Sequence, residues 1–238
     1  MVVFDLDDTL VPVWHPIKPA TEALLEYMSR HMPKAAVDAK DKLRPTMTQV
    51  SEAHPLMAHD LTEVRKEALR MLAEPHGEEG AVDEAMRLFV TMRSNVAPHL
   101  YDDVIPCLEW LKQTVGVDVA VLTNGNAMDL SVCAVLGRYV SLSLGAGDVG
   151  TLKPSPVPFM AISQRSGVPP GRILFVGDSY EKDVLGAQAV GMTGVLLLRD
   201  GAPVPVGASD EVVLLRSLHP EELERQVRAH LLHKKAKS

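Results

Sequence analysis

VVFDLDDTL, residues 2–10, decides how the rest of the chain is read. Val2, Val3 and Phe4 form a short, β-prone apolar run that stops abruptly at Asp5, as a strand buried on both faces of a parallel sheet does. Asp5 and Asp7 follow at i and i+2, a spacing that can turn both carboxylates into the same crevice. Acidic turns after strands are common, and Asp and Thr also cap turns and helices. This stretch differs in being apolar on both sides, where two like charges raise each other's pKa unless a cation joins them.

Four later runs share the character of the first: 117–122, 141–144, 172–176 and 194–198. Helical patterns lie between them, with Val104, Leu108 and Leu111 on one face, and Met160, Ala161 and Gln164 on one face after a start at Ser155 or Pro156. Strands alternating with helices predict an α/β fold, a Rossmann-like three-layer core around a parallel sheet. Residues 15–97 break the alternation. One helix is expected over 21–32, and another begins near Asp60, where Glu63 completes a capping-box spacing, with Leu61, Val64, Ala68, Leu69 and Leu72 on its stripe. After the loop 74–80, Val82, Ala85, Met86, Phe89 and Val90 make a third stripe. The expected division is therefore a core of 1–14 and 98–238 with an all-helical insertion, 15–97.

Bulk composition narrows the function. The 238 residues are 46% hydrophobic and 23% charged, the balance of a folded globular chain. A formal charge of −7 offers no basic face to a nucleic acid, and the one basic cluster, residues 233–238, reads as a solvated chain end. No apolar run approaches the ~18 residues that cross a bilayer. Cys107 and Cys133 are too few for a disulfide framework and lack the neighbours of a zinc site. These features predict a reducing, cytoplasmic home with neither nucleic acid nor membrane as partner. Met1 stands at the mouth of the first strand, leaving no room for a targeting peptide unless an organellar one was removed upstream. Oligomeric state is not encoded in any of these signals.

The chemistry-bearing residues gather where strands end. Leu122-Thr123-Asn124-Gly125-Asn126 closes the second run with a hydroxyl and a turn that suit an anionic oxygen, although turn chemistry alone would also select Asn-Gly. Lys153-Pro154 follows the third. Gly177-Asp178-Ser179 follows the fourth, with Asp183 five residues beyond Asp178, where the helix dipole by itself would favour an acid. Gly145, Gly147 and Gly150 have the spacing of a dinucleotide-binding loop, but the prolines at 154 and 156 delay any helix and residues 165–172 hold no acid. A nicotinamide oxidoreductase is therefore rejected, and the glycines are read as a flexible connector delivering Lys153. Asp5, Asp7, Asp178 and Asp183 would converge on one sheet edge, a charge concentration that needs a lysine and a divalent cation; all-oxygen donors select Mg²⁺.

Together, DLDDT (5–9), Thr123-Asn124, Lys153-Pro154 and Gly177-Asp178-Ser179 with Asp183 resemble the four motifs of the haloacid dehalogenase superfamily, in order and spacing. The helical insertion resembles that family's C1 cap. The resemblance implies Asp5 as a nucleophile that forms an aspartyl phosphate and Asp7 as the acid and base. It implies that Leu6, Thr123, Asn124 and Lys153 hold the phosphoryl oxygens. Mg²⁺ would be bound by Asp5, the Asp7 carbonyl and Asp178, with Asp183 acting through a water or steadying Lys153. Dehalogenases of this family lack an acid at the position of Asp7, and its ATPase branch needs membrane helices.

Glu52-Ala53-His54-Pro55, His59-Asp60, Met92-Arg93-Ser94 and Thr123-Asn124-Gly125-Asn126 are similar to phosphatases acting on FMN and on 5-amino-6-(5-phosphoribitylamino)uracil. Trp14-His15 departs from the small polar residues of that pattern. The expected substrate-selecting residues are Trp14, His54, His59, Arg93 and Asn126. His54 and His59 are spaced wrongly for a metal pair on one helix face. The implied function is a Mg²⁺-dependent phosphomonoesterase for a small phosphorylated metabolite, first a flavin-pathway phosphate. The alternatives are a nucleotide or sugar-phosphate phosphatase, a phosphomutase, or a non-catalytic phosphometabolite-binding protein.

Overall fold

The computed structural model describes residues 1–125, 133–209 and 212–232. The chain divides into two compact units, Met1–Pro12 with His99–Ser238, and Val13–Pro98. Trp14 falls in the second unit.

Val13–Pro98 holds four helices, α1 (Trp14–His31), α2 (Pro33–Ala53), α3 (Leu61–Ala73) and α4 (Val82–Ser94). Among their core residues are Leu24, Met28, Leu69, Val82, Met86 and Phe89. The helix α2 had no sequence-based counterpart: its buried residues are Ala35, Ala36, Ala39 and Val50, and alanines give a weak stripe. Leu61 is 47% exposed, so the buried stripe of α3 begins at Val64. Asp60 caps α3 as its spacing predicts, accepting the Thr62 and Glu63 N–H groups at 2.9 and 3.1 Å. The residue before α2 supplies no cap; Glu78, from the connection between α3 and α4, accepts the N–H of Lys34 (3.3 Å) and Ala35 (2.9 Å) instead.

In the other unit six parallel strands stand in the order β3-β2-β1-β4-β5-β6. They are β1 (Val2–Phe4), β2 (Val119–Leu122), β3 (Val140–Leu144), β4 (Leu174–Gly177), β5 (Thr193–Leu197) and β6 (Val213–Leu215). The α/β reading holds, with β6 added to the five expected strands. Phe4 lies in register with Val121 on one side and Val176 on the other, so β1, β2 and β4 end level. From β1 the chain builds outward to β2 and β3, whereas β4 continues on the opposite side to β5 and β6. That reversal is the topological switch point where open α/β sheets form their ligand crevice.

The α-helices of this unit among the described residues are α5 (Val104–Glu109), α6 (Ala134–Gly137), α7 (Ala146–Val149), α8 (Pro156–Ser166), α9 (Gly186–Ala189) and α10 (Pro220–Leu232). Among the described residues no helix is long and apolar enough to cross a membrane. Ser155 caps α8, but the buried face is Pro158, Phe159, Ile162 and Ser163 rather than Met160, Ala161 and Gln164. Phe159 decides the rotation by packing edge-on against Phe175 of β4, with ring centroids 5.1 Å apart. The glycine stretch is also more ordered than a flexible connector: α7 forms inside it, and the Asp148 carboxylate accepts the Gly145 N–H at 2.7 Å. Gly150 ends that turn at φ 76°, a backbone conformation L side chains rarely adopt. The turn lacks the long helix of a dinucleotide cradle.

Candidate active site

Lys153 is the hub of the crevice. Its ammonium donates to Asp5 Oδ1 at 2.6 Å, to Asp183 Oδ1 at 2.6 Å and to the Leu122 carbonyl at 2.9 Å, which engages all three of its protons. These partners come from the residue after β1, the helical turns that follow β4 and the end of β2. Asn124 fixes the lysine's backbone from both sides, accepting the Lys153 N–H at 2.6 Å and donating to its carbonyl at 2.9 Å. The Asn124 side chain thus aims Lys153. Thr123 is buried, and its hydroxyl accepts the Gly125 N–H at 3.0 Å.

Asp5, Asp178 and Asp183 each offer a carboxylate oxygen within 4.8 Å of the others. Burial, with Asp183 and Asp178 nearby, outweighs the attraction of Lys153 and pushes Asp5 up to about 8. Burial, then the charges of Asp183 and Asp8, raises Asp178 to about 6. Burial would discharge Lys153, but Asp5 and Asp183 overcome it and hold its pKa above the usual lysine value. Three clustered carboxylates against one ammonium leave an excess of negative charge that a divalent cation would relieve. Hard oxygen donors at this separation fit Mg²⁺.

Asp183 can approach so closely because position 177 is glycine. A Cβ on Gly177 would fall 2.4 Å from the Asp183 carboxyl carbon. Asp183 lies in the wide, π-type turns Tyr180–Leu185, a form often found beside functional sites, and its second oxygen accepts the Ser179 N–H at 3.0 Å. Both oxygens are thereby committed, one of them to Lys153.

Asp7 sits on the loop between Leu6 and Val11. Leu10 and Val11 donate to the Leu6 carbonyl at 2.9 and 3.1 Å, and Asp8, at φ 59°, donates to the Val11 carbonyl at 2.7 Å. The Asp7 carboxylate lies against Gly125, with its Oδ2 3.2 Å from where a Cβ there would stand. Asp5, Leu6, Asp7, Thr123, Asn124, Lys153, Asp178 and Asp183 therefore all belong to the first unit. Asn126 lies outside the described residues.

Trp14, His54, His59 and Arg93 belong to the helical unit. Glu78 on the start of α2 marks one end of that unit; Trp14 begins α1, His54 and His59 flank the α2–α3 connection, and Arg93 is in the last turn of α4, all at the other end. Trp14 is 69% exposed. Arg65 joins them there, 4.1 Å above the Phe89 ring, where burial and the neighbouring Arg93 push its pKa down to about 10. No sequence motif marked Arg65. A second cluster that the sequence reading missed is Arg199 with Asp103 and Tyr101; its one signal is an arginine immediately after the apolar run 194–198.

A parallel sheet with paired acids after its central strand, a buried lysine and a Gly-Asp-Ser turn at the switch point defines a hydrolase of the haloacid dehalogenase-like family. The family model for haloacid dehalogenase-like hydrolases matches residues 1–191, and the chain belongs to that family. It is similar to phosphoglycolate phosphatase 1 of Pseudomonas aeruginosa, 28% identical over 92% of this chain and 78% of the relative. It is also similar to the 5-amino-6-(5-phospho-D-ribitylamino)uracil phosphatase YigB of Escherichia coli, 30% identical over 80% of each chain. Among solved structures, a 2-haloacid dehalogenase from Pseudomonas syringae pv. Tomato DC3000 superposes with TM-score 0.82 at 28% identity, covering 94% of this chain and 98% of that one.

Proposed function

We propose that the protein is a Mg²⁺-dependent phosphomonoesterase for a small phosphorylated metabolite, with Asp5 as its nucleophile. The observation that carries this reading is Lys153 held 2.6 Å from both Asp5 and Asp183, beside Asp178, at the sheet's switch point. An Asp5 oxygen attacks phosphorus in line while the ester oxygen departs with a proton from Asp7. Water then attacks the aspartyl phosphate and gives its proton back to Asp7. A divalent cation on Asp5, the Asp7 carbonyl and Asp178 would keep Asp5 ionised and draw charge from the phosphoryl oxygens. Lys153, the Thr123 hydroxyl and the main-chain N–H groups of Leu6 and Asn124 hold those oxygens. Because the ammonium is fully engaged, phosphate must displace one partner, and releasing the Leu122 carbonyl strands no charge.

In this reading Val13–Pro98 is the substrate-selecting cap, and Trp14, His54, His59 and Arg93, with Asn126 from the core, set the choice. The first candidate is a flavin-pathway phosphate, FMN or 5-amino-6-(5-phosphoribitylamino)uracil, supported by the motif resemblance and by the E. coli relative. Phosphoglycolate, named for the P. aeruginosa relative, competes with it, as do nucleotides and sugar phosphates. Asp7 argues against the carbon–halogen substrate suggested by the P. syringae structure. The test is a panel of these esters scored for phosphate, with 2-chloropropionate scored for chloride, each with Mg²⁺ and with chelator. Phosphate release that chelation abolishes is expected; release unaffected by chelation would refute the metal assignment, and no release from any ester would sink the phosphatase reading.

A further inference from the structure

Arg199, just beyond β5, lies outside the cluster of Asp5, Asp178 and Asp183 around Lys153, yet it grips the loop that carries Asp7. Its Nε donates to the Thr9 carbonyl at 3.0 Å, and its two terminal nitrogens donate to the two Asp103 oxygens at 2.9 Å each. Asp103, immediately before α5, also accepts the Leu218 N–H at 2.8 Å, so this buried carboxylate is anchored from two directions. The guanidinium lies 3.9 Å above the Tyr101 ring, and the Tyr101 N–H donates to the Leu10 carbonyl at 3.1 Å. Two successive carbonyls of the loop, Thr9 and Leu10, are thus held from outside it.

Hydrogen bonds within the loop join Leu6 to Leu10 and Val11, and Asp8 to Val11, and so shape it, while buried Leu6, Leu10 and Val11 pack it down. The bonds from Arg199 and Tyr101 add directional ties from just beyond β5 and from the segment before α5 to its Thr9 and Leu10 carbonyls. A buried arginine–carboxylate fork adds little net stability, because desolvation offsets most of the attraction; what it does supply is a rigid, directional mount. We infer that Arg199, braced by Asp103 and stacked on Tyr101, is a positioning residue that seats the Leu6–Val11 loop and so aims Asp7 at its proton-transfer position. This rests on the assignment of Asp7 in the proposed phosphatase mechanism.

The test compares three full-length proteins: wild type, Arg199→Lys, and the double variant Arg199→Met/Asp103→Asn. The double variant removes both charges together, so no lone buried ion threatens the fold, and Asn still accepts from Leu218. In the double variant the amides of Leu10 and Val11 should exchange at least about tenfold faster, while those of Phe4 and Val121 in the strands stay within about twofold. With p-nitrophenyl phosphate, kcat should fall at least about tenfold with KM within about threefold. Arg199→Lys should recover part of kcat. Unchanged loop exchange, or a loosened loop with wild-type kcat, would overturn the inference. If wild type hydrolyses no ester, the phosphatase reading fails by itself, and the exchange data still decide whether Arg199 seats the loop.

Discussion

Replacing Lys153 by methionine removes the one ammonium facing Asp5 and Asp183 while nearly preserving side-chain length. The wild-type contacts are 2.6 Å to each carboxylate, and the three side chains are 2%, 9% and 2% exposed, so water cannot stand in for the lost cation. Breaking a buried ion pair from one side costs about 3–5 kcal/mol. For a chain of this size that corresponds to a fall in Tm of roughly 6–20 °C. The two carboxyls can escape part of the penalty by taking up protons. Burial raises Asp5 to about 8, so the carboxyls take up protons more readily as pH falls, and the deficit should be largest at pH 8 and above and should shrink towards pH 5. Urea unfolding in metal-free buffer measures this, followed by fluorescence in a Trp14→Phe background, where Trp110 alone reports the first unit. A loss under about 1 kcal/mol at pH 8, or a deficit that grows as pH falls, would contradict a shared buried charge site.

Gly177→Ala should push Asp183 off Lys153, lower stability by about 1–3 kcal/mol and weaken Mg²⁺ binding measured by calorimetry. An alanine variant with wild-type affinity would mean that the 2.4 Å approach does not matter. Thr9→Val should be neutral or stabilise by up to about 1 kcal/mol in urea melts, because the Thr9 hydroxyl is buried without a hydrogen-bond partner. The folded-state pKa values of Asp178 and Asp5 are raised to about 6 and about 8. Their stabilising contribution is complete below the unfolded value near 4 and is lost as pH rises through 6 and 8. Metal-free stability should therefore decline between pH 4 and 8 more steeply in wild type than in Asp5→Asn, and added Mg²⁺ should restore more at pH 8 than at pH 5. Equal slopes in the two proteins would remove Asp5 as the titrating group.

Asp5, Thr123 and Asp178 were legible because each sits where, or one residue after, an apolar run stops. Val3 and Phe4 mark β1, and Asp5 comes next; Phe175 and Val176 mark β4, and Asp178 follows. Local spacing carries that information. Asn124 was harder to read: its place in the turn pointed to phosphate, whereas its side chain turns out to hold the backbone of a residue 29 positions away. Arg199 and Asp103 lie 96 positions apart, and no periodicity links them. In α8, Val157, Phe159, Met160 and Ile162 leave no polar side to set the rotation, so only the contact of Phe159 with Phe175 decides it. The three residues of β6 are too short to stand out from the loop before them.

The assignment of Asp5 is tested most directly by phosphate release from Asp5→Asn beside wild type, using the best ester of the panel at saturating Mg²⁺. Loss of a covalent nucleophile predicts a fall in kcat of at least about 10³-fold, with the fold intact by circular dichroism. An Asp5→Asn protein that turns over at the wild-type rate would show that phosphorus is attacked by something else.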